Sequence, residues 1–262
     1  MKFSVLASGS GGNAIYVEFG EQRFLVDAGL NGKKTQELLA QIGRDPAELT
    51  GIFISHEHRD HTIGAGVLAR RYGIPIYANA NTWNGMNGVI GEVAADLKFE
   101  LPTGTVRSFG ALDVESFGVS HDAREAMFFA FHADGKKLAI ITDTGYVSDR
   151  VKGIIDNSDA FVFECNHDVN LLRMGRYPWH LQQRILGDRG HVSNEDAALA
   201  LSEVVGVQTK KIFMAHLSQE NNYQELARMT VEQVLLAREC PVGEQFFLYD
   251  TYQDKATDLV VV

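Results

Sequence analysis

The chain has 262 residues, 45% hydrophobic and 22% charged, which is enough for a sizeable core without disulfide staples. Its formal charge of −10 gives no support to a surface that coats nucleic acid by bulk charge, although bound divalent ions would add local positive charge that this count omits. Two cysteines, Cys165 and Cys240, make no disulfide framework, no apolar run nears the ~18 residues of a membrane span, and no leader pattern follows Met1, so the cytoplasm is the expected compartment.

In chain order, Phe3–Ala7 reads as a short strand ended by the turn from Ser8 to Asn13. Ala14–Phe19 and Arg23–Asp27 flank Gly20-Glu21 as a hairpin. Thr35–Ile42 has helical spacing. Gly51–Ser55 is an apolar strand that runs straight into His56-Glu57-His58-Arg59-Asp60-His61. Ile63–Tyr72 is an expected helix, stopped by Gly73 and Pro75, and Ile76–Ala78 begins a strand. Strands follow at Val106–Phe109, Leu112–Gly118, Ala126–Ala133 and Lys137–Thr142, with Asp134-Gly135 as a hairpin turn. Further strands are expected at Ala160–Cys165, Lys211–Ala215 and Phe246–Tyr249, and helices at Val147–Ile155, Asn194–Val205 and Val231–Ala237. This pattern suggests sheet layers covered by helices, α/β (α+β) in class, with residues 1–262 as one domain.

Imidazole and carboxylate are the ligands that zinc and similar first-row ions prefer. His56, His58, Asp60 and His61 fall within six residues, directly after an apolar strand, where charged groups seldom serve packing. On a loop leaving that strand, His56 and His58 can face one ion while Asp60 and His61 serve a second. More ligands are needed, and His121, Asp143 and His216 each follow an apolar strand as well.

These motifs resemble the metallo-β-lactamase superfamily, whose five motifs fall in this order: Asp27, the HEHRDH run, His121, Asp143 and His216. The stretches LASGSGGNA, LARRYGIPIYAN, TDTGYV, FECNHD and YPWHLQQRILGDRGHVSN are similar to the YycJ/WalJ-like branch, reported as DNA 5′-exonuclease-like. The resemblance implies a four-layer αββα sandwich with two divalent metal ions at one edge: zinc first, manganese or iron next. It implies that His56, His58 and His121 hold one ion, that Asp60, His61 and His216 hold the other, that Asp143 bridges, and that Asp27 orients a ligand imidazole. His61 and the bridging Asp143 point toward phosphodiester or thioester cleavage rather than lactams.

For a phosphodiesterase, a hydroxide between the ions would attack in line, with Asp60 aiming it and His191 or His167 giving the leaving oxygen its proton. Ser193 reads as a helix N-cap, and the same helix start could hold a phosphate, so His191, Ser193 and Asn194 are candidate substrate contacts. Glu164 and His167 belong either to the site or to a buried polar network. Asn13, in the first turn, is a candidate site-lining residue through the resemblance. Trp83, Trp179 and Tyr177 could stack on a base or pack at a rim. Arg173, Arg176, Arg184 and Arg189 form a candidate phosphate-binding rim that would favour DNA as substrate. The alternative is a small-diester, thioester or lactone hydrolase. The thioester enzymes add a C-terminal helical region, for which the stretch after His216 looks poor. No membrane partner is expected, and the oligomeric state does not follow.

Overall fold

The computed structural model describes residues 1–262. Its strands are β1 (Lys2–Ala7), β2 (Ala14–Phe19), β3 (Gln22–Val26), β4 (Gly51–Phe53), β5 (Ile76–Ala78), β6 (Lys98–Glu100), β7 (Val106–Phe109), β8 (Leu112–Gly118), β9 (Met127–Ala133), β10 (Lys136–Ile141), β11 (Ala160–Glu164), β12 (Lys211–Ala215), β13 (Phe247–Asp250) and β14 (Val260–Val261). Its helices are α1 (Gly32–Gln41), α2 (Arg59–Thr62), α3 (Ala65–Tyr72), α4 (Ala80–Met86), α5 (Asp149–Ile155), α6 (Val169–Met174), α7 (Trp179–Leu186), α8 (Asn194–Val204) and α9 (Gln224–Ala237).

The strands form two seven-stranded sheets, ordered β14-β1-β2-β3-β4-β5-β6 and β13-β12-β11-β10-β9-β8-β7. Side chains alternate across a strand, so each face has its own neighbours. Phe24 and Val26 of β3 and Phe53 of β4 face the second sheet, and Phe53 meets Phe129 of β9 at 5.4 Å. Leu25 and Ile52 face outward, among Leu38 and Leu39 of α1 and Leu68 of α3. On the far side, α5, α8 and α9 bury Val151, Leu201 and Val231 against the second sheet. The layering is the expected αββα sandwich.

In both sheets the strands nearest the site run parallel: β3 to β6 in one, β10 to β13 in the other. Their carboxyl ends therefore gather at one edge, where parallel sheets leave a crevice. The turn at Asp134 and Gly135 has positive φ at both residues, 51° and 69°, which joins β9 to β10 as a tight hairpin.

Several elements differ from expectation. The helix expected at Ile63–Tyr72 begins at Ala65 as α3, and an unforeseen single turn, α2, precedes it; the backbone between them docks at Gly64, whose N–H donates to Ala28 O at 2.8 Å and where a Cβ would meet Leu30 O at 2.1 Å. β4 ends at Phe53 because the Ser55 N–H turns to the Asp27 carboxylate, 2.8 Å away. α9 begins at Gln224 rather than Val231; its first two turns bury only Ala227, too little for an apolar stripe. α4, α6 and α7 were not foreseen. Each is short, and α6 and α7 bury one residue apiece, Leu172 and Gln182.

Candidate metal centre

The site is assembled from strand ends. Asp27 follows β3, Asp143 lies just past β10, and His216 follows β12. All three have left-handed backbones, with φ of 62°, 50° and 56°. Such a conformation is uncommon for residues with a Cβ and is held by the surroundings. It turns each side chain out of its strand and over the sheet edge. The histidine run arrives from β4, and its Asp60–His61 segment is clamped: Asn13 N–H donates to Asp60 O and Ala28 N–H to His61 O, both at 2.8 Å. Only glycine fits beside this clamp at position 29, because a Cβ would lie 1.6 Å from Asp60 O.

Two groups of ligand atoms result. His58 Nδ1 lies 3.1 Å from His56 Nε2 and 3.3 Å from His121 Nε2. Ligands about 2.0–2.1 Å from a tetrahedral ion stand about 3.3 Å apart, so this trio could hold one ion. In the second group, His61 Nε2 is 3.5 Å from Asp60 Oδ2 and 3.3 Å from Asp143 Oδ2. Asp143 Oδ1 is 3.5 Å from His216 Nε2 and 3.9 Å from His121 Nε2, which places this carboxylate between the groups. The atoms of Asp60, His61 and His216 also converge closely enough to share an ion.

The far nitrogen of four of these imidazoles is tied down. His61 Nδ1 is 2.7 Å from Asp27 Oδ2, His56 Nδ1 2.9 Å from Ser55 Oγ, His121 Nδ1 3.2 Å from Gly190 O, and His216 Nδ1 2.9 Å from Glu164 Oε1. Each acceptor takes the Nδ1–H and leaves Nε2 as a lone pair aimed at the site, the arrangement that metal-binding histidines use. Ser55 was missed in the sequence. Its hydroxyl donates to Asp27 and accepts from His56, joining the first motif to the second.

The electrostatics fit a cation. Burial, followed by the neighbouring histidine charges, pushes His56 well below its ordinary value, and burial also lowers His121, so both are neutral ligands. Burial alone would raise the Asp143 carboxyl, but His216 and His61 hold it far below the usual range. His61 shows the converse: burial opposes its charge, yet Asp143, Asp27 and Asp60 drive it well above normal. Without a metal, the carboxylates place a proton on His61; a divalent ion would supply that charge instead. Asp143 Oδ2 and His216 Nε2 are buried without a hydrogen bond, a costly state that ion ligation would relieve.

The remaining candidates divide. His191 lines the cleft of about 240 Å³ above these groups, with Nδ1 2.7 Å from Glu164 Oε1. Burial alone would lower its pKa, but Glu164 and more distant carboxylates raise it to about 9. Glu164 is fully buried and does not reach the cleft. It accepts from His191, His216 and Thr144 N–H, which makes it an anchor for two rings rather than a substrate contact.

His167 is 1% exposed, does not line the cleft, and is lowered to about 4 chiefly by burial, so it is neutral and walled off from any leaving group. Ser193 caps α8, accepting from Asp196 N–H, and Asn194 pairs amide to amide with Asn222. Both are buried, with their polar atoms satisfied inside the protein, so substrate contact is not their role. Asn13 is buried too; it braces the first turn through Gly9 and sets its amide nitrogen 3.1 Å from His61 Nε2. Tyr177 lines the cleft, whereas Trp83 donates to Phe99 O on another face.

The expected arginine rim is also revised. Arg184 pairs with Asp122, and Arg189 donates to His121 O at 3.2 Å and Ala123 O at 3.3 Å, so both hold the loop that carries His121. Asp122, a cleft-lining residue with Oδ1 3.3 Å from His121 Nε2, had no distinct signal beyond its place after His121.

Comparison with known proteins gives the same picture. A family profile described as a beta-lactamase superfamily domain matches residues 22–236. Exodeoxyribonuclease YycJ of Bacillus anthracis is 57% identical over 251 residues, covering 96% of this chain and 95% of that protein. Exodeoxyribonuclease WalJ of Streptococcus pneumoniae is 50% identical over 263 residues, covering 100% and 98%. Among solved structures, the metallo-β-lactamase fold protein YhfI from Bacillus subtilis superposes with a TM-score of 0.73 over 98% of each chain, at 15% identity. The chain belongs to the β-lactamase superfamily, and within it to the YycJ/WalJ group.

Proposed function

We propose that this protein is a metal-dependent exodeoxyribonuclease acting from the 5′ end. The observation that carries the reading is near full-length identity of 57% and 50% to two chains named exodeoxyribonuclease, in a protein whose own seven ligand-type residues converge. The 5′ polarity is taken from the family resemblance. His56, His58 and His121 would hold one divalent ion, Asp60, His61 and His216 the other, and Asp143 would be shared. Zinc is the first choice, because nitrogen and carboxylate ligands at this spacing suit it, with manganese or iron next.

When bound, the ions supply Lewis acidity toward a phosphoryl oxygen and toward water. Asp60 lines the cleft with its carboxylate part-exposed, so it can accept a hydrogen bond from the attacking water and fix its direction. His191 faces the same cleft with Nδ1 held by Glu164, which leaves Nε2–H to protonate the leaving oxygen. Tyr177, Leu181 and Ile185 give this cleft an apolar wall against which a nucleoside can rest.

Residues 1–262 act here as one domain, with β14 returning to pair with β1. No helix is long and apolar enough to cross a membrane. Two buried, unpaired cysteines suit the cytoplasm, where DNA is at hand.

The test is hydrolysis of end-labelled DNA by the metal-loaded protein. Asp60→Asn should keep the melting temperature within a few degrees and lose turnover by at least about 10²-fold. Unchanged hydrolysis in that variant refutes the assignment.

A further inference from the structure

Of the histidines that converge on the two ligand groups, His56, His61, His121 and His216 present Nε2, with Nδ1 tied to an acceptor. His58 is turned the other way round. Its Nδ1 faces His56 Nε2 at 3.1 Å and His121 Nε2 at 3.3 Å, so Nε2 is its far nitrogen. An imidazole that offers Nδ1 to an ion carries its proton on Nε2 and has that N–H to place.

The carboxylate oxygen facing His58 Nε2 is Asp122 Oδ1, 4.0 Å away, about 1 Å beyond hydrogen-bond distance. That oxygen is itself without a partner: it is shielded from solvent and accepts no hydrogen bond. A buried carboxylate oxygen in this state is costly. A carboxylate that served only to hold Arg184 would turn its second oxygen to water. His121 does not satisfy it either. His121 Nε2 is 3.3 Å from Oδ1, but its proton is on Nδ1, which donates to Gly190 O. A lone pair therefore faces Oδ1 there, and His58 Nε2–H is the imidazole donor that remains.

Asp122 is held ready for this contact. Arg184 Nε donates to its other oxygen, Oδ2. Arg189 donates to the carbonyls of the residues on either side, His121 at 3.2 Å and Ala123 at 3.3 Å. Two residues on, Arg124 N–H donates to Glu57 Oε1 in the histidine run, at 2.9 Å. His58 is anchored from its own side, its carbonyl accepting from His61 N–H and Thr62 Oγ, both at 3.0 Å. The backbones on both sides are thus fixed, and side-chain rotation alone separates the N–H from the orphaned oxygen.

Resting on the two-metal reading above, we propose that Asp122 is the positioning residue of His58: its Oδ1 accepts the Nε2–H and so fixes the tautomer and the angle at which Nδ1 meets the ion shared with His56 and His121. A carboxylate in this place also raises the basicity of the ring. Through Arg184, the same contact connects this ligand set to α7, the helix that supplies Leu181 and Ile185 to the cleft wall.

The experiment uses the zinc-loaded protein and two readouts. Competition with chelators of graded strength gives the affinities of the two ions separately. Nitrogen-15 spectra of the imidazoles report which ring nitrogen carries the proton. In the parent, His58 should show Nε2–H with Nδ1 on zinc, the reverse of the other four rings. In D122N the amide oxygen stays on Arg184, whose N–H needs an acceptor, so the amide nitrogen faces His58, donor against donor. One of the two affinities should fall by about 10–100-fold while the other holds. The His58 Nε2 resonance should move, and its proton should exchange faster with water. Melting temperature verifies the fold, and the parent spectrum alone tests the tautomer if D122N fails to fold.

Parental affinities for both ions in D122N, or equal loss of both, would overturn the role. A weakened ion with unmoved His58 resonances would overturn it too, because Asp122 would then be a ligand itself. So would a parent His58 that carries its proton on Nδ1. A parent protein that holds fewer than two zinc ions would overturn the two-metal reading, and this role with it.

Discussion

Asp27 and His191 are the two side chains whose roles can be separated most cleanly by small substitutions. Asp27 makes no use of its charge in packing; its oxygens accept from Ser55 N–H, Ser55 Oγ and His61 Nδ1–H. Asp27→Asn keeps the size but turns one oxygen into a donor facing His61, which permits the wrong imidazole tautomer. Metal affinity should fall by about 10–100-fold with little change in melting temperature, as measured by competition with a chelator. If His191 protonates the leaving oxygen, His191→Asn should slow DNA hydrolysis by about 10²–10⁴-fold. The same variant should barely slow a nitrophenyl phosphodiester, whose leaving group departs without a proton. Equal losses on both substrates would remove His191 from proton transfer.

At the scale of elements, the site depends on backbone approach as much as on ligands. The loop after β3 lies against the histidine run so closely that residue 29 must be glycine. Gly29→Ala inserts a Cβ into the Asp60 carbonyl and has to push the run away from Asn13 and Ala28. A melting temperature lowered by well over 10 °C, together with weakened metal binding, is the expected outcome. A variant with parental stability and full metal content would show that the clamp yields. The helix pair α6–α7 is the opposite kind of element. It is short, buries little, and is joined to the His121 loop through polar groups: Arg184 to Asp122, and the Ser120 hydroxyl to Asp188 O at 2.7 Å.

Across the whole molecule, charged groups also tie one layer to another. Glu18 on β2 receives both Arg44 Nε at 2.7 Å and Nη2 at 2.9 Å, with Tyr16 OH donating to it as well. Burial would raise the Glu18 carboxyl, but the Arg44 and Tyr16 hydrogen bonds take it below its ordinary value. A carboxyl depressed in this way stabilises the fold above its unfolded pKa, and that stability is lost as pH falls through the folded value. Glu18→Gln should therefore cost roughly 1.5–3 kcal/mol near neutral pH. The gap should shrink on acidification below about pH 4, read from denaturant melts across that range. A constant gap would mean that packing, not charge, explains the loss.

Much of this was legible in the chain itself. Ligand-type residues placed directly after apolar strands at positions 56–61, 121, 143 and 216 announced the site, because strand ends are where a sheet delivers side chains to an edge, and the family resemblance added Asp27. Short apolar strands joined by turns, with a few helices among them, likewise anticipated sheet layers covered by helices. What the chain alone could not decide was partnership. Arg184 and Arg189 look like phosphate binders until Asp122 and two carbonyls from the His121 loop, more than sixty residues away, are seen to occupy them. Glu164 looks like a substrate ligand until His191 and His216 close on it. His167 looks like an acid until burial makes it neutral. Residue type and spacing set which chemistry is available; which groups remain free to perform it depends on distant segments that only the folded chain brings into contact.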